Sequence, residues 1–523
     1  LGLKADGTCC RVEVDPLPWH LSSEERKDAH RGFCFNSRVS ASVPVDRIQS
    51  DQRTWGCKTR HQNYPTDLPD ASVVMVFHNE HFHTLIRSLH SVLNHSPPHL
   101  LREIILLDDV SMYDTTRFYK SHWDRLQDEL TEYCKALPKV RLVRLKVRRG
   151  LMLARMEGAW RAKGWMTIFL DSHIEATPGW MEPLLARVAE EPTRVVVPSI
   201  DGIGADDLRY ALGGGLGVLS FTWTLGQKPL ARDHSDDAVR SPVMAGGLFG
   251  GSTEYFLYLG GYDPEMRLYG GEEMEIGFRT WQCGGSIEHI PCSHVGHIFR
   301  TGRYWQGQVY KVPGEEIVRN KLRAAEVWMD EYKELVKLAS MKLPGEMSIE
   351  PLAERQQLRE KLNCKNFQWF LDNVATDVHP PSLKALGGRS GALRNKGTNG
   401  CIDTLGEERR GGALGAYPCH GQHGTQAVLM DAEGRILIAA SSWEDCAGTG
   451  HSSSGVVTIV SCKSPKEKVQ WTYEADSGKL SPSASPNYCL TMVAEQSSKS
   501  PIAIKLNDCA EPLADNQVWN WMA

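Results

Sequence analysis

No apolar run in this chain of 523 residues approaches the roughly 18–20 residues of a membrane-spanning helix, so no span is read within it. The chain starts abruptly at Leu1, and a signal or anchor upstream is expected to have been removed. Positive charge is not in excess: 59 Lys and Arg face 64 Asp and Glu, a formal net charge of −5 that argues against a general nucleic-acid-binding surface. No cysteine pair has the C-x2-4-C spacing of a zinc ribbon, and Cys9–Cys10 are merely adjacent. The glycine run at 213–217 (GGGLG) lacks the G-x-G-x-x-G spacing and the strand-then-helix context of a dinucleotide fingerprint, so a dehydrogenase reading fails there. The one sequon, Asn94-His95-Ser96, is followed by Pro97 and is a weak glycan acceptor at best.

What is present is the composition of an ordinary soluble globular protein, 41% hydrophobic and 24% charged. The length exceeds what one core usually serves, so two or three domains are expected. Fourteen cysteines are many, and six of them are regular. Cys401/Cys419, Cys446/Cys462 and Cys489/Cys509 are separated by 18, 16 and 20 positions, which reads as disulfides and a secretory compartment.

Residues 1–70 carry four cysteines and little periodicity, and are read as an irregular leader packed on the next domain. Apolar runs at Ser72–Phe77, Glu103–Asp109, Val140–Leu145 and Met166–Leu170 predict strands. Helical patterns at His81–His95, Thr115–Cys134 and Gly150–Lys163 lie between them, and this alternation means a parallel α/β sheet. A strand at Val195–Pro198, a helix from Gly270 through Trp281 and a long helix over Glu315–Leu338 complete that domain, set at 71–374. A Pro- and Gly-rich linker follows at 375–391. From 392 to 523 the texture is short strands and turns, with the three cysteine pairs repeating every 45 and 43 residues; each pair precedes a Gln (Gln426, Gln470-Trp471, Gln517-Val-Trp519). A threefold repeat of that length predicts a β-trefoil.

The stretch 164–175 (GWMTIFLDSHIE) carries the chemistry. Alternation along a strand turns Asp171 and His173 to one side with Ser172 aside. A carboxylate and an imidazole suit a divalent cation such as Mn²⁺. Asp-x-His occurs also at Asp28/His30 and Asp377/His379, but only Asp171/His173 ends a buried strand, where open α/β sheets bind ligands. A metal site and a satisfied strand-end pair both fit this much. The acidic Glu272, Glu273 and Glu275 fit either helix capping or a site, and Cys292-Ser-His294-Val-Gly-His297 offers a further histidine to Asp171 and His173.

Asp171-Ser-His173, Gly270-Gly-Glu272, Trp281-Gln-Cys283-Gly-Gly285, Cys292-Ser-His294-Val-Gly-His297 and the three cysteine repeats resemble the polypeptide N-acetylgalactosaminyltransferases. Val76-Phe-His-Asn-Glu80, Ala245-Gly-Gly-Leu-Phe249 and Ala325-Glu-Val-Trp-Met-Asp330 extend the resemblance, in matching order, over about residues 55–523. It implies a Rossmann-like GT-A catalytic domain followed by a ricin-type β-trefoil lectin domain. The implied activity is retaining transfer of GalNAc from UDP-GalNAc to Ser or Thr hydroxyls, initiating mucin-type O-glycans on peptide and glycopeptide acceptors. The implied setting is the Golgi lumen, as a type II membrane protein whose anchor lies outside this chain.

By the same resemblance Asp171, His173 and His297 hold Mn²⁺, with Glu272 and Asp171 at the catalytic centre. Asp108, Arg148, Ser172, Gly246, Gly247, Tyr269, Arg300 and Trp305 are the implied substrate contacts, and Asp403, Tyr417 and His420 the lectin's sugar contacts. Cys57–Cys292 and Cys283–Cys364 are further implied disulfides. Three features depart from the family pattern: Tyr269 where Trp is common, Glu273 where Asn usually meets the sugar, and a longer 300–313 segment with Arg303 and Trp305. A decayed, purely glycan-binding chain and a transferase of another UDP-sugar are the competing readings.

Overall fold

The computed structural model describes residues 22–113, 120–213, 217–231, 235–300, 312–387, 389–407, 409–449, 455–494 and 502–522. Its contacts divide the chain into two units. The first takes residues up to 220, Gln227–Ala324 and Pro351–Ala375; the second takes Phe221–Gly226, Ala325–Glu350 and the chain from Thr376.

In the first unit, β1 (Ala71–Phe77), β2 (Leu101–Asp108), β3 (Val140–Arg144) and β4 (Met166–Asp171) are mutually parallel in the order β3-β2-β1-β4. β1 and β4 are apolar along nearly their whole length, because a parallel sheet covered on both faces buries alternate residues in both directions. The register pairs Val76 with Asp171 and Phe77 with Asp108, so the carboxylates of two strand ends emerge along one edge. β5 (Ile174–Ala176), β6 (Arg194–Ile203), β7 (Phe249–Ser252) and β8 (Ser286–Ile298) extend the sheet, β7 running antiparallel between β4 and β6. β8 runs parallel to β6 with a register shift between Ile290 and His294, and pairs His297 with Ile174.

Three sequence expectations change. The irregular leader holds short helices at Ser23–His30 (α1), Ser37–Ser42 and Trp55–His61, the first closed by a Ser22/Glu25 capping box. Between the first two, Phe33 and Phe35 join Val39, Val43, Ile203 and Ile298 in a core cluster. The helix read over Glu315–Leu338 is broken into Gly314–Trp328, a short 3-10 turn at Asp330–Tyr332 and Lys333–Ala339; Asp330 sits at φ 48°, which an α-helix does not tolerate. The helix read to Lys163 ends at Ala159, and the part of the Thr115–Cys134 helix before 120 lies outside the described residues. Disulfides join Cys57 to Cys292 and Cys283 to Cys364 in this unit.

The second unit packs Leu393, Val428, Ile459, Trp471, Leu490 and Trp519 into one core, and its three repeats each carry a disulfide: Cys401–Cys419, Cys446–Cys462 and Cys489–Cys509. Trp471 and Trp519 occupy matching places, each indole N–H donating to the carbonyl one residue past the first cysteine, Ala447 at 2.9 Å and Leu490 at 2.8 Å. Two residues before the tryptophan stand Gln517 in the third repeat and the buried Val469 in the second. The Gln470 read from the sequence as the second repeat's glutamine is therefore one position out of register, and its amide goes to the Glu433 carbonyl at 2.9 Å instead.

Candidate active site

Asp171 ends β4 and His297 lies near the end of β8, brought beside the β4–β5 corner by the pairing of His297 with Ile174. Ligand atoms of Asp171, His173 and His297 converge to within 4.8 Å of one another. Oδ2 of Asp171 is 3.3 Å from Nε2 of His297. Burial would raise the Asp171 carboxyl, but the hydrogen bond from His297 and the charge of Arg155 outweigh it and hold the group well below the ordinary range. His297 is shifted down, by burial first. Its Nδ1 is buried without a partner. One carboxylate and two imidazoles in this arrangement are a donor set that fits a divalent transition ion.

Two residues absent from the sequence-derived site hold it in shape. Glu80, in the turn after β1, is 2% exposed. Its Oε2 accepts from His173 Nδ1 at 3.0 Å, Ser172 Oγ at 3.1 Å and Arg300 Nη2 at 2.9 Å, while Oε1 accepts from the His81 amide at 2.9 Å. Burial opposes the charge on Glu80, and Arg300 and His173 more than offset it, keeping the carboxyl ionised. Arg155 lies within α2 (Gly150–Ala159) and is 1% exposed; it donates to Asp171 Oδ1 at 3.0 Å, to the carbonyls of Gly246 and Gly247 at 2.5 and 2.8 Å and to Tyr262. A lone arginine between Ala154 and Met156 in an apolar helix was the one sequence signal for it.

Beside this cluster opens a pocket of about 230 Å³ lined by Asp171, His297, Gly246, Gly247, Tyr269, Glu272 and Glu273, with Leu151, Ile200, Gln227, Ala245, Leu248 and Phe299. Gly247 cannot be replaced without cost, since a Cβ there would stand 2.8 Å from Asp171 Oδ2. Gly270 and Gly271, at φ 96° and 87°, turn the chain into α3 (Glu272–Gln282). The Gly270 amide donates to Glu272 Oε2 at 2.6 Å. Burial, then the neighbouring Glu273, raises the Glu272 carboxyl far above its usual range.

The other sequence-derived contacts fall into three groups. Ser172 is buried and its hydroxyl donates to Glu80 rather than facing the pocket. Asp108 is buried with Arg144 at 2.5 Å and accepts from the Ser111 amide at 2.7 Å, while Arg148 is exposed; neither lines this pocket. Trp305 and Arg303 lie outside the described residues.

In the second unit, Asp403 is 4% exposed, accepting from the Leu405 amide at 2.7 Å and from Gln426 Nε2 at 2.9 Å. Gln426 Oε1 accepts from the His420 amide at 3.2 Å, and His420 Nε2 stands 3.9 Å from Asp403 Oδ2. Tyr417, opposite Cys401 across the hairpin, is 49% exposed. Gln517 repeats the Gln426 pattern at Thr491 Oγ1 (3.1 Å), the Asp508 carbonyl (2.8 Å) and the Ala510 amide (2.8 Å).

Family comparisons agree with this two-part architecture. Residues 72–256 match the glycosyl transferase family 2 model, residues 230–303 the N-terminal domain of galactosyltransferase, and residues 389–520 the ricin-type beta-trefoil lectin domain. The chain is 40% identical over 430 residues to polypeptide N-acetylgalactosaminyltransferase 3 of Taeniopygia guttata, covering 78% of this chain and 67% of that protein. It is 36% identical over 516 residues to a probable N-acetylgalactosaminyltransferase 9 of Caenorhabditis elegans, covering 95% and 84%. A crystal structure of GalNAc-T7 with UDP, GalNAc and Mn²⁺ superposes with a TM-score of 0.76 at 30% identity, over 96% of this chain and 91% of that one.

Proposed function

The chain belongs to the polypeptide N-acetylgalactosaminyltransferase family, and on that premise we propose that it transfers GalNAc from UDP-GalNAc to Ser and Thr hydroxyls of polypeptides with retention of configuration. The observation that carries this reading is the convergence of Asp171, His173 and His297 beside a pocket floored by Gly246 and Gly247.

Asp171, His173 and His297 would hold Mn²⁺, which as a Lewis acid supplies the positive charge that a UDP leaving group needs. Arg155 neutralises the inner oxygen of Asp171 and fixes the two glycine carbonyls, so the pocket floor and the carboxylate keep one geometry. Glu80 holds His173 by Nδ1, leaving Nε2 free as a donor atom. Arg300, parked on Glu80, is a planar guanidinium fork placed to meet diphosphate oxygens. Glu272 is anchored by the Gly270 amide and orients sugar hydroxyls rather than attacking the anomeric carbon. The acceptor proton passes to the departing phosphate oxygen. Asp108 and Arg148 complete the nucleotide side.

The lectin domain guides acceptor choice through its first repeat, where Asp403 accepts hydroxyls of an existing GalNAc and Tyr417 covers an apolar ring face. The enzyme works in the Golgi lumen as a type II membrane protein.

The test is transfer itself. Purified chain, UDP-GalNAc, Mn²⁺ and a Ser/Thr-rich peptide are expected to yield a peptide heavier by one GalNAc, with the α-anomeric linkage seen by NMR. Absence of transfer together with intact GalNAc binding would leave a glycan-binding protein and overturn the reading.

A further inference from the structure

His423 lies in the turn just past the Cys401–Cys419 disulfide and stands at φ 61° and ψ −139°. That backbone region is essentially glycine's, and another residue persists in it only where the surrounding structure holds it. Two sets of contacts do so. The imidazole Nδ1–H donates to the Lys337 carbonyl at 3.2 Å, in the last turn of the helix Lys333–Ala339, as a histidine at a helix C-terminus can. The backbone bridges Met341 in antiparallel fashion, and the Lys342 amide donates to the Gln422 carbonyl at 3.1 Å. Residues 333–342 belong to the second unit with His423, although they precede the stretch that reads as a trefoil.

The turn held in this way carries the polar side chains around Asp403. The Gln422 amide donates to His420 Nδ1 at 3.0 Å, which makes that nitrogen the acceptor and puts the proton of the neutral ring on Nε2. Nε2 stands 3.9 Å from Asp403 Oδ2. The His423 carbonyl accepts from the Gln426 amide at 3.3 Å, and Gln426 Nε2 donates to Asp403 at 2.9 Å. A displacement of Gln422 or His423 therefore reaches both His420 and Asp403 within two hydrogen bonds. A glycine would take this backbone without strain. The turn itself does not call for an imidazole; the bond to Lys337 does.

We propose that His423 is a positioning residue of the first repeat's sugar site, clamping the 420–426 turn to the helix Lys333–Ala339 and so making residues 333–342 a working part of the lectin unit. This rests on the reading that the first repeat binds GalNAc. His423 acts through others: through Gln422 on the tautomer of His420, and through Gln426 on the Asp403 carboxylate.

NMR titration of methyl-α-GalNAc into the full chain, ¹⁵N-labelled on histidine, tests it with the parent, His423→Gly and His423→Asn. Gly relieves the backbone and removes the donor. Asn tolerates positive φ, and its amide N–H stands where Nδ1–H stood. His423→Gly is expected to bind the sugar about 3- to 10-fold more weakly, the loss of one hydrogen bond that orders a turn. Its melting temperature should stay near the parent's, because relieved strain opposes the lost bond and the freer unfolded chain. Its His420 nitrogens should move from the Nε2–H pattern toward a tautomer mixture, while transfer to a naked peptide stays within about twofold of the parent. His423→Asn should restore both the affinity and the His420 signals. Parent-like affinity in His423→Gly, or an equal loss in His423→Asn, would overturn the clamp alone. A parent that transfers GalNAc but does not bind methyl-α-GalNAc would overturn the lectin reading with it.

Discussion

Nδ1 of His173 lies 3.0 Å from Oε2 of Glu80, and Nη2 of Arg300 reaches the same oxygen at 2.9 Å. One carboxylate thus sets the tautomer of the imidazole proposed as a metal ligand and parks the Arg300 cation. A partner outside the ligand set typically costs about 10–100-fold in metal affinity when removed. Glu80→Gln is therefore expected to weaken Mn²⁺ binding by about that factor, read by calorimetry or by the EPR signal of free Mn²⁺. Unchanged affinity in a folded variant would reduce Glu80 to a packing role.

Asp171 and His297 are both proposed metal ligands, yet their removal should not look alike. Asp171→Ala strips the buried Arg155 of its carboxylate partner, and a stranded buried charge costs about 3–5 kcal/mol. The carbonyls of Gly246 and Gly247 and the Tyr262 hydroxyl still bind Arg155, so the loss should fall at the low end. His297→Ala leaves no charge behind. Both variants should lose Mn²⁺-dependent transfer, but thermal melts without metal should fall further for Asp171→Ala. Equal melting temperatures would mean that the Arg155–Asp171 pair contributes little.

A pH dependence follows from Glu175, which is buried and grips Arg47 at 2.6 and 2.7 Å, Arg87 at 3.0 Å and Gln49 at 2.7 Å. Burial pushes its carboxyl up, but the Arg47 hydrogen bonds and the charges of Arg87 and Arg47 outweigh this and hold it below the usual range. A lowered carboxyl binds fewer protons folded than unfolded, so its stabilisation is full above the ordinary carboxylate value of about 4.3 and is lost as pH falls below it. The stability gap between parent and Glu175→Gln should be widest near neutrality and narrow below about pH 4. Denaturant midpoints across pH measure it, and a gap that widens on acidification would refute the assignment.

What could be read from the sequence was what is local in the chain. Asp171 and His173 announce themselves because they end a buried run, and the late cysteine pairs because 18, 16 and 20 positions repeat. Glu80 meets His173 across 93 positions, and Cys57 meets Cys292 across 235; no periodicity carries such separations, and only the family resemblance pointed to the second. Arg155 was hidden because helical patterning assigns its face to the core, where it does lie, but as a paired charge. The break at Asp330 escaped because a single left-handed residue leaves apolar spacing on either side undisturbed.

The lectin repeats allow a prediction that separates sugar binding from folding. Asp403→Ala is expected to abolish GalNAc binding by the second unit, seen as loss of saturation transfer to methyl-α-GalNAc, while the melt stays close to the parent's. The third repeat keeps Gln517 in the role of Gln426 but offers it Thr491 in place of Asp403, and Asn507 where Tyr417 stands opposite the first cysteine. Adding Thr491→Asp and Asn507→Tyr to Asp403→Ala should restore weak binding, because the amide that orients the carboxylate is already in place. The second repeat should resist the same repair. It has Val469 instead of the glutamine, and a Cβ on Gly448 would strike Val460 Cγ2 at 2.3 Å. Gly448→Asp is thus expected to lower the melting temperature and to give no sugar signal. Binding gained there, with none at the third repeat, would show that the glutamine is not what makes the first repeat competent.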